Sequence, residues 1–390
     1  LKKSIILFSF EFPPVTTGGI GKVAFQKYRK FQEYGYTVHL VSTVKSKNRK
    51  SLWYAIPPKN NFIKVTKSFL YCLWIIIRFS PRFIYCLSGT YIGFIAFLLH
   101  KLFATPYFIM AHGHEFMQFG AQSFISKILK IVYNNAAAVF SVSNFTKREL
   151  LKRGVKKHKV HTVYNSIESP DPNIVKSHDI LREKDRLHVS PSGLVLLTVS
   201  RLDKRKGHSN VIRALKDIFS EIPEAREKIL YIITGSGPEE QRITKLISEY
   251  KLEKNVILYG HVSEDKLPLL YTLADLFIMP NVIIHDRGNV EGFGIVFLEA
   301  AVHGLPSIAG IHGGSAEVVL DGETGFLVNG NNVAEIKEKI LLFYSHRNLC
   351  KDLGKKAQQF CTTRFSLDTI FAHEYKLITH YLKNRGSSCK

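Results

Sequence analysis

Two carboxylates and two cations in the second half of the chain offer the clearest chemistry. Glu291 and Glu299 stand eight residues apart in Glu291-Gly292-Phe293-Gly294-Ile295-Val296-Phe297-Leu298-Glu299-Ala300. From Ile295 to Val302 only Glu299 interrupts an apolar run, the pattern of a helix packed on a sheet. Glu291 then precedes the helix, and Glu299 falls one to two turns inside it. Gly292 and Gly294 let backbone N–H groups come close to a ligand at the loop-to-helix junction. A helix N-terminus, with its unpaired donors and positive dipole end, suits a phosphate. Upstream, the strand-like run Leu194–Val199 opens into Ser200-Arg201-Leu202-Asp203-Lys204-Arg205-Lys206-Gly207. Arg201 and Lys206 can converge there on a diphosphate, Arg as a planar fork and Lys as a point charge. The bland alternatives are a capping acid with an internally paired Glu, and a basic surface turn.

The surrounding elements decide between these readings. A strand-like run, Asp275–Pro280, and a polar loop, Asn281–Val290, lead into the glutamate pair. Downstream come Gly304-Leu305-Pro306, then Gly313-Gly314-Ser315-Ala316-Glu317 and Asp321-Gly322-Glu323-Thr324-Gly325. This block, Asp275 to Val328, resembles the donor-binding half of retaining GT-B glycosyltransferases of family 4. The resemblance covers nearly the whole chain and is strongest from Leu194 to Val328. Arg201, Lys206 and Gly207 stand at the family spacing, whereas Lys204 and Arg205 draw no such support.

Composition sets separate bounds. A chain of 390 residues with 45% hydrophobic content has room for two or three domains, each with its own core. Cys72, Cys86, Cys350, Cys361 and Cys389 are odd in number, widely spaced and without a CxxC, so neither a disulfide framework nor a zinc site is indicated. That usage fits a reducing cytosol. The strand-like Ile5–Phe8 leaves no room before it for a signal peptide. The net charge of +22 is lopsided: residues 1–160 hold 25 Lys and Arg against 4 Asp and Glu, and the other residues are close to balance. Such asymmetry calls for an anionic partner: membrane lipid, nucleic acid or an acidic glycan. The basic clusters are Lys45-Ser46-Lys47-Asn48-Arg49-Lys50 and Lys152-Arg153 with Lys156–Lys159.

Taken in order, Ser4–Phe10 reads as a buried strand, followed by Thr17-Gly18-Gly19-Ile20-Gly21 opening a helix to about Tyr34, and by a strand at Thr37–Val41. This is a βαβ beginning, as in a doubly wound sheet. Lys45–Lys67, with Trp53, Tyr54, Pro57 and Pro58, reads as a loop, and Phe69–Phe79 as an apolar run. Phe83–Leu99 carries no charge. About 20 apolar residues could span a bilayer, but Ser88-Gly89 divides this run into a strand and a helix, Tyr91–Phe103. Pro106 then introduces the strand Tyr107–Ala111, which ends in His112-Gly113-His114-Glu115. Ligands of open α/β sheets gather at such strand ends. Two imidazoles and one acid are too few for a metal site. Residues 168–190 read as an interdomain linker, and Leu367–Lys383 as a last amphipathic helix.

The resemblance implies an α/β GT-B architecture, two Rossmann-like domains facing a cleft. The first, 1–168, binds the acceptor and is completed by 367–390, a helix crossing back to it. The second, 190–366, binds a UDP- or GDP-sugar. Carried over residue by residue, Gly19, Gly235, Val262 and the turn Gly292-Phe293-Gly294-Ile295 contact the donor, with the base held near Val262. Arg201 and Lys206 hold the diphosphate, Glu299 the ribose, and Glu291 and His112 the sugar, while His114 and Glu115 fix their loop. No divalent metal or other cofactor is expected, in keeping with the lack of an Asp-x-Asp motif. The expected activity is retaining hexosyl transfer to a lipid-linked or oligosaccharide acceptor in bacterial cell-surface polysaccharide or glycolipid synthesis. The first domain is then expected to rest on an anionic membrane, placing the protein in the cytoplasm at the inner face of the cell membrane. One departure is the long charged loop with His285-Asp286-Arg287, which leaves the donor sugar open. The rivals are a soluble-acceptor enzyme, a nucleotide-sugar epimerase, a nucleic-acid binder, for which no recognition motif is present, and an inactive scaffold.

Overall fold

The computed structural model describes residues 3–13, 18–43, 53–55, 61–120, 123–171, 174–284 and 290–387. The chain divides into two units, residues 1–165 with 367–390, and residues 166–366. Lys45, Lys47, Arg49, Lys50, Pro57, Pro58, His285, Asp286 and Arg287 lie outside the described residues.

The first unit runs β1 (Lys3–Phe8), α1 (Gly19–Glu33), β2 (Tyr36–Ser42), β3 (Trp53–Ala55), α2 (Asn61–Phe79), β4 (Ile84–Cys86), α3 (Tyr91–Phe103), β5 (Tyr107–Ala111), α4 (His114–Met117), α5 (Phe124–Asn135), β6 (Ala138–Ser141), α6 (Asn144–Lys152) and β7 (Val160–Thr162). Its strands form one parallel sheet in the order β3-β2-β1-β4-β5-β6-β7. Strands of a parallel sheet are covered on both faces, which is why Ile5–Phe8 and Tyr107–Ala111 read as unbroken apolar runs and are fully buried. Gly35, at φ +79°, turns the chain out of α1 into β2.

Two expectations need correction. Asn61–Lys67 is not loop but the first turns of α2, because Lys67 stands exposed and Lys64 lies over the Phe10 ring at 3.9 Å while Ser68 and Cys72 turn inward. The linker residues fold in part into α7 (Ser177–Arg186), held by Glu183, which accepts from Arg186 and from Tyr259 Oη at 2.8 Å. Its charged face had the composition of a linker.

After α7 the second unit continues with β8 (Leu194–Val199), α8 (His208–Glu221), β9 (Ile229–Thr234), α9 (Glu240–Glu249), β10 (Val256–Gly260), α10 (Leu267–Leu273), β11 (Leu276–Met279), α11 (Ile295–Val302), β12 (Ser307–Gly310), β13 (Gly325–Val328), α12 (Val333–Ser345) and α13 (Arg347–Arg364). The sheet order is β10-β9-β8-β11-β12-β13, all parallel. Strand order reverses between β8 and β11, so the crevice outside their carboxyl ends is the ligand position of this topology. Leu196, Tyr231, Ile278 and Ile308 pack with Val211, Leu215, Ile336 and Phe343 from the helices into one core.

The last helix, α14 (Leu367–Ser387), belongs with the first unit. Lys27 of α1 and Glu374 of α14 form an ion pair with about 1% and 0% of their side chains exposed. Tyr85 Oη donates to the same carboxylate, and the Lys27 ammonium lies 5.5 Å from the Phe371 ring centroid.

Candidate active site

The loops that leave β8 and β11 at the switch point meet through three charged side chains. Lys204–Lys206 forms a single tight helical turn that ends at Gly207, and it aims Arg205 and Lys206 toward the loop after β11. Both cations donate to one oxygen of Glu291: Arg205 Nη1 at 2.6 Å and Lys206 Nζ at 2.6 Å. All three side chains are largely buried. Burial opposes ionisation of Glu291, but Lys206 and then Arg205 more than offset it, and the carboxyl is pulled down to about 2. The stabilisation from this triad is therefore complete above about pH 4.5, the ordinary value, and is lost as pH falls through about 2. A cluster with two cations on one carboxylate keeps one positive charge over, suited to an incoming anion.

Backbone packing fixes Glu291. The Gly314 N–H donates to the Glu291 carbonyl at 2.9 Å, and a Cβ on Gly313 would stand 2.2 Å from that same oxygen. A Cβ on Gly314 would stand 2.2 Å from the Gly292 carbonyl, so the paired glycines are what lets these two loops touch. Gly294, at φ +88°, opens α11, and no side chain caps that helix. The Phe293 ring is buried and edge-on to Phe365 at 5.8 Å. Of the Gly292–Ile295 turn, then, Phe293 can offer a ligand its backbone but not its ring.

Glu299, one turn into α11, is buried and accepts from Tyr271 Oη at 2.9 Å. His303 stacks on Tyr271 with ring centroids 5.0 Å apart and bonds the Glu299 carbonyl through Nδ1 at 2.7 Å. Arg201 differs from Lys206: its side chain is 74% exposed, with Nε 3.8 Å from Asp203 Oδ2. The structure thus brings Lys206 onto Glu291 and leaves Arg201 reaching into solvent from the same loop.

Gly235 ties the neighbouring strand ends. Its N–H donates to Gly260 at 2.7 Å, and at φ +109° a Cβ there would lie 2.0 Å from the Ser200 carbonyl. Gly235→Ala is expected to cost at least about 1–3 kcal/mol from backbone strain alone. Urea unfolding measures it, and an unchanged midpoint would contradict the loop packing described. Val262 follows β10 on the same edge of the sheet.

Three residues that the sequence reading passed over belong here. Arg205 was indistinguishable from Lys204 until the turn showed which one faces Glu291. Asn281, fully buried, donates through Nδ2 to His312 O at 2.8 Å and accepts from Gly310 N at 3.1 Å, which locks the loops after β11 and β12 together. Its position directly after a strand-ending proline was the available signal. His208 bonds Ser200 Oγ through Nε2 at 3.0 Å, and burial, then the charge of Lys206, lowers it to about 3.

In the first unit, the end of β5 presents His112. Burial, opposed by a hydrogen bond to the Leu87 backbone and aided by the charge of Lys27, lowers its imidazole to about 4, so the ring is neutral at pH 7. His112 Nε2 has no hydrogen-bond partner among the described residues. Glu115 accepts from the His112 N–H at 2.7 Å, the loop-fixing role expected of it. Burial, opposed by these backbone bonds, raises its carboxyl to about 7. Gly19 begins α1 at the end of the loop after β1. The cysteines Cys72, Cys86, Cys350 and Cys361 are buried free thiols.

Comparison with known proteins places these features. The sequence model Glycosyltransferase Family 4 matches residues 17–169, and Glycosyl transferases group 1 matches residues 180–360. A GDP-mannose-dependent alpha-(1-6)-phosphatidylinositol monomannoside mannosyltransferase of Mycobacterium tuberculosis (strain CDC 1551 / Oshkosh) is 29% identical over 67% of this chain and 66% of its own length. The match therefore spans just under two-thirds of that relative. Among solved structures, a glycosyltransferase from Rickettsia africae superposes with a TM-score of 0.80 at 20% identity, covering 98% of this chain and 99% of that one. Anabaena HepE in complex with UDP gives a TM-score of 0.79 at 18% identity over 97% of this chain and 100% of that one. With a family 4 domain followed by a group 1 domain on two Rossmann-like units, the chain belongs to the GT-B glycosyltransferases.

Proposed function

We propose that this chain moves a hexose from a UDP- or GDP-sugar to a lipid-linked or glycan acceptor. The setting is bacterial cell-surface polysaccharide or glycolipid synthesis at the cytoplasmic face of the membrane. Transfer retains anomeric configuration and needs no divalent metal. The observation that carries this reading is the Lys206–Glu291–Arg205 cluster at the switch point, in the domain that matches the group 1 model. The named acceptor of the mycobacterial relative, a phosphatidylinositol monomannoside, supports the lipid side of the proposal.

In the proposed reaction the acceptor oxygen bonds to the anomeric carbon as the bond from that carbon to the diphosphate oxygen breaks. The leaving diphosphate takes the acceptor's hydroxyl proton. Lys206 and Arg201 stabilise the charge that grows on it, with Arg201 swinging in from its exposed position. Glu291, already ionised and fixed by two cations, accepts from sugar hydroxyls. Neutral His112, its Nε2 without a partner among the described residues, offers a hydrogen bond to the sugar rather than a charge. Glu299 accepts from the ribose, Val262 lies by the base, and Gly19, Gly235, Gly292, Gly294 and Ile295 bring backbone close to the donor.

Calorimetry with UDP and with GDP tests this division. Glu299→Ala is expected to weaken binding of the preferred nucleotide on the order of tenfold to a hundredfold, the worth of a hydrogen bond to a charged group. Glu291→Ala is expected to spare nucleotide affinity while crippling transfer. Equal losses of affinity in the two variants would contradict the assignment.

A further inference from the structure

The first unit carries an apolar stripe turned away from its own core. On α3, Ile92, Ile95, Ala96 and Leu99 pack inward, yet Tyr91, Phe94, Leu98 and Leu102 recur on the opposite side and are exposed. The helix is therefore apolar on both faces, which the sheet beneath it does not require. Its neighbours repeat the pattern. Ile77 of α2 is 68% exposed beside a half-exposed Trp74, and Phe124 of α5 is 76% exposed. Right-handed crossovers from β3 to β4, β4 to β5 and β5 to β6 all run in one direction across the sheet, so α2, α3 and α5 lie on the same face, opposite α1. Contacts of α3 with both α2 and α5 join the three into one surface. Isolated surface hydrophobics need no explanation, but a patch continuous over three helices does.

Its charge says what covers it. Not one Asp or Glu occurs in α2, α3 or α5, whereas Lys67, Arg78, Lys101, Lys127 and Lys130 stand exposed among the apolar side chains. A second copy of this chain would bring an equally basic face against the first, with like charges opposed. A nucleic acid would use the cations and leave the leucines and isoleucine without a role. Apolar side chains inserted at the level of lipid headgroups, with cations among them, match an anionic bilayer surface on both counts.

We infer that the face formed by α2, α3 and α5 docks on an anionic lipid bilayer, with the α3 stripe dipping into the headgroup region. This rests on the reading of the protein as a transferase with a lipid-linked acceptor, and deepens it. No described helix is long and apolar enough to cross a membrane, so the contact is made from one side.

The experiment is co-sedimentation of the full chain with vesicles of phosphatidylcholine alone and of phosphatidylcholine with about one-third phosphatidylglycerol. Firm binding is expected only to the anionic vesicles, falling as salt rises from about 0.1 M to 1 M and the screening length shrinks. Ile77→Glu with Leu102→Glu should lower the partition coefficient at least tenfold, and Lys101→Gln with Lys127→Gln and Lys130→Gln several-fold. These positions are exposed, so circular dichroism and UDP or GDP calorimetry should be unchanged in both variants. Nucleotide binding without vesicle binding would overturn the docking face and leave the donor reading standing. Vesicle binding without any nucleotide binding would overturn the donor reading instead. Equal binding to neutral vesicles, binding insensitive to the glutamate substitutions, or a dimer in sedimentation equilibrium that Leu102→Glu dissolves would each overturn the inference.

Discussion

Lys206→Ala is expected to lower turnover on the order of a hundredfold or more while leaving the protein folded. Lys206 Nζ is 2.6 Å from Glu291 and buried, so in the absence of donor its charge is held in place by that carboxylate. A cation fixed before the reaction needs no reorganisation when charge grows on the leaving diphosphate, which is why its removal should fall on kcat. The fold should survive because Arg205 Nη1 holds the same Glu291 oxygen at 2.6 Å, so the carboxylate keeps a partner. Arg205→Ala tests the converse. It should leave Lys206 in place and reduce turnover far less, on the order of tenfold or below, since Arg205 acts by positioning Glu291. Initial rates at saturating donor separate the two. Near-normal turnover in Lys206→Ala would reject its role at the leaving group, and equal losses would make the triad a structural unit.

The second large effect concerns stability. Glu374→Ala is expected to destabilise the first unit by about 3–5 kcal/mol, because it leaves the Lys27 ammonium buried without its carboxylate. Lys27 and Glu374 join α1 to α14 across residues far apart in sequence, and Tyr85 donates to the same carboxylate from β4. The loss should appear as reduced hydrogen-exchange protection in α1 and α14. Replacing both charges and the hydroxyl that shares them, Lys27→Met and Glu374→Leu with Tyr85→Phe, should recover most of it, since apolar side chains of similar volume need no compensation. A single substitution costing less than about 1 kcal/mol would mean that water reaches the pair.

Much of this architecture was legible in the sequence because the signals were local. Ser88-Gly89 divides the uncharged run Phe83–Leu99 and Pro106 follows it, marking off the strand, helix and strand that the structure shows as β4, α3 and β5. The helix Ile295–Val302 was readable from its apolar period, and its glycine start from Gly294. What escaped was relational. Lys206 and Glu291 were each singled out, but nothing 85 residues apart in the chain could show that they share an ion pair. Arg205 was passed over because only the geometry of a tight turn separates it from Lys204. Asn61–Lys67 and Ser177–Arg186 looked like loop and linker because helices with one wet, charged face resemble both in composition. The outward stripe on α3 was hidden for the opposite reason: in a segment uncharged from Tyr91 to Leu99, buried and exposed positions carry the same residue types.

One measurement bears on the central claim, that the Lys206–Glu291 cluster serves transfer from a nucleotide sugar. The purified chain is incubated with UDP- and GDP-hexoses and a bacterial membrane lipid extract, with a metal chelator present throughout. Nucleoside diphosphate release is followed over time, and the anomeric proton of the product by NMR. The expected result is release from one donor class that depends on the extract, persists in chelator and vanishes in Lys206→Ala, giving a product with the donor's own anomeric configuration. Absence of release from every donor, release unaffected by Lys206→Ala, or a product of inverted configuration would contradict it.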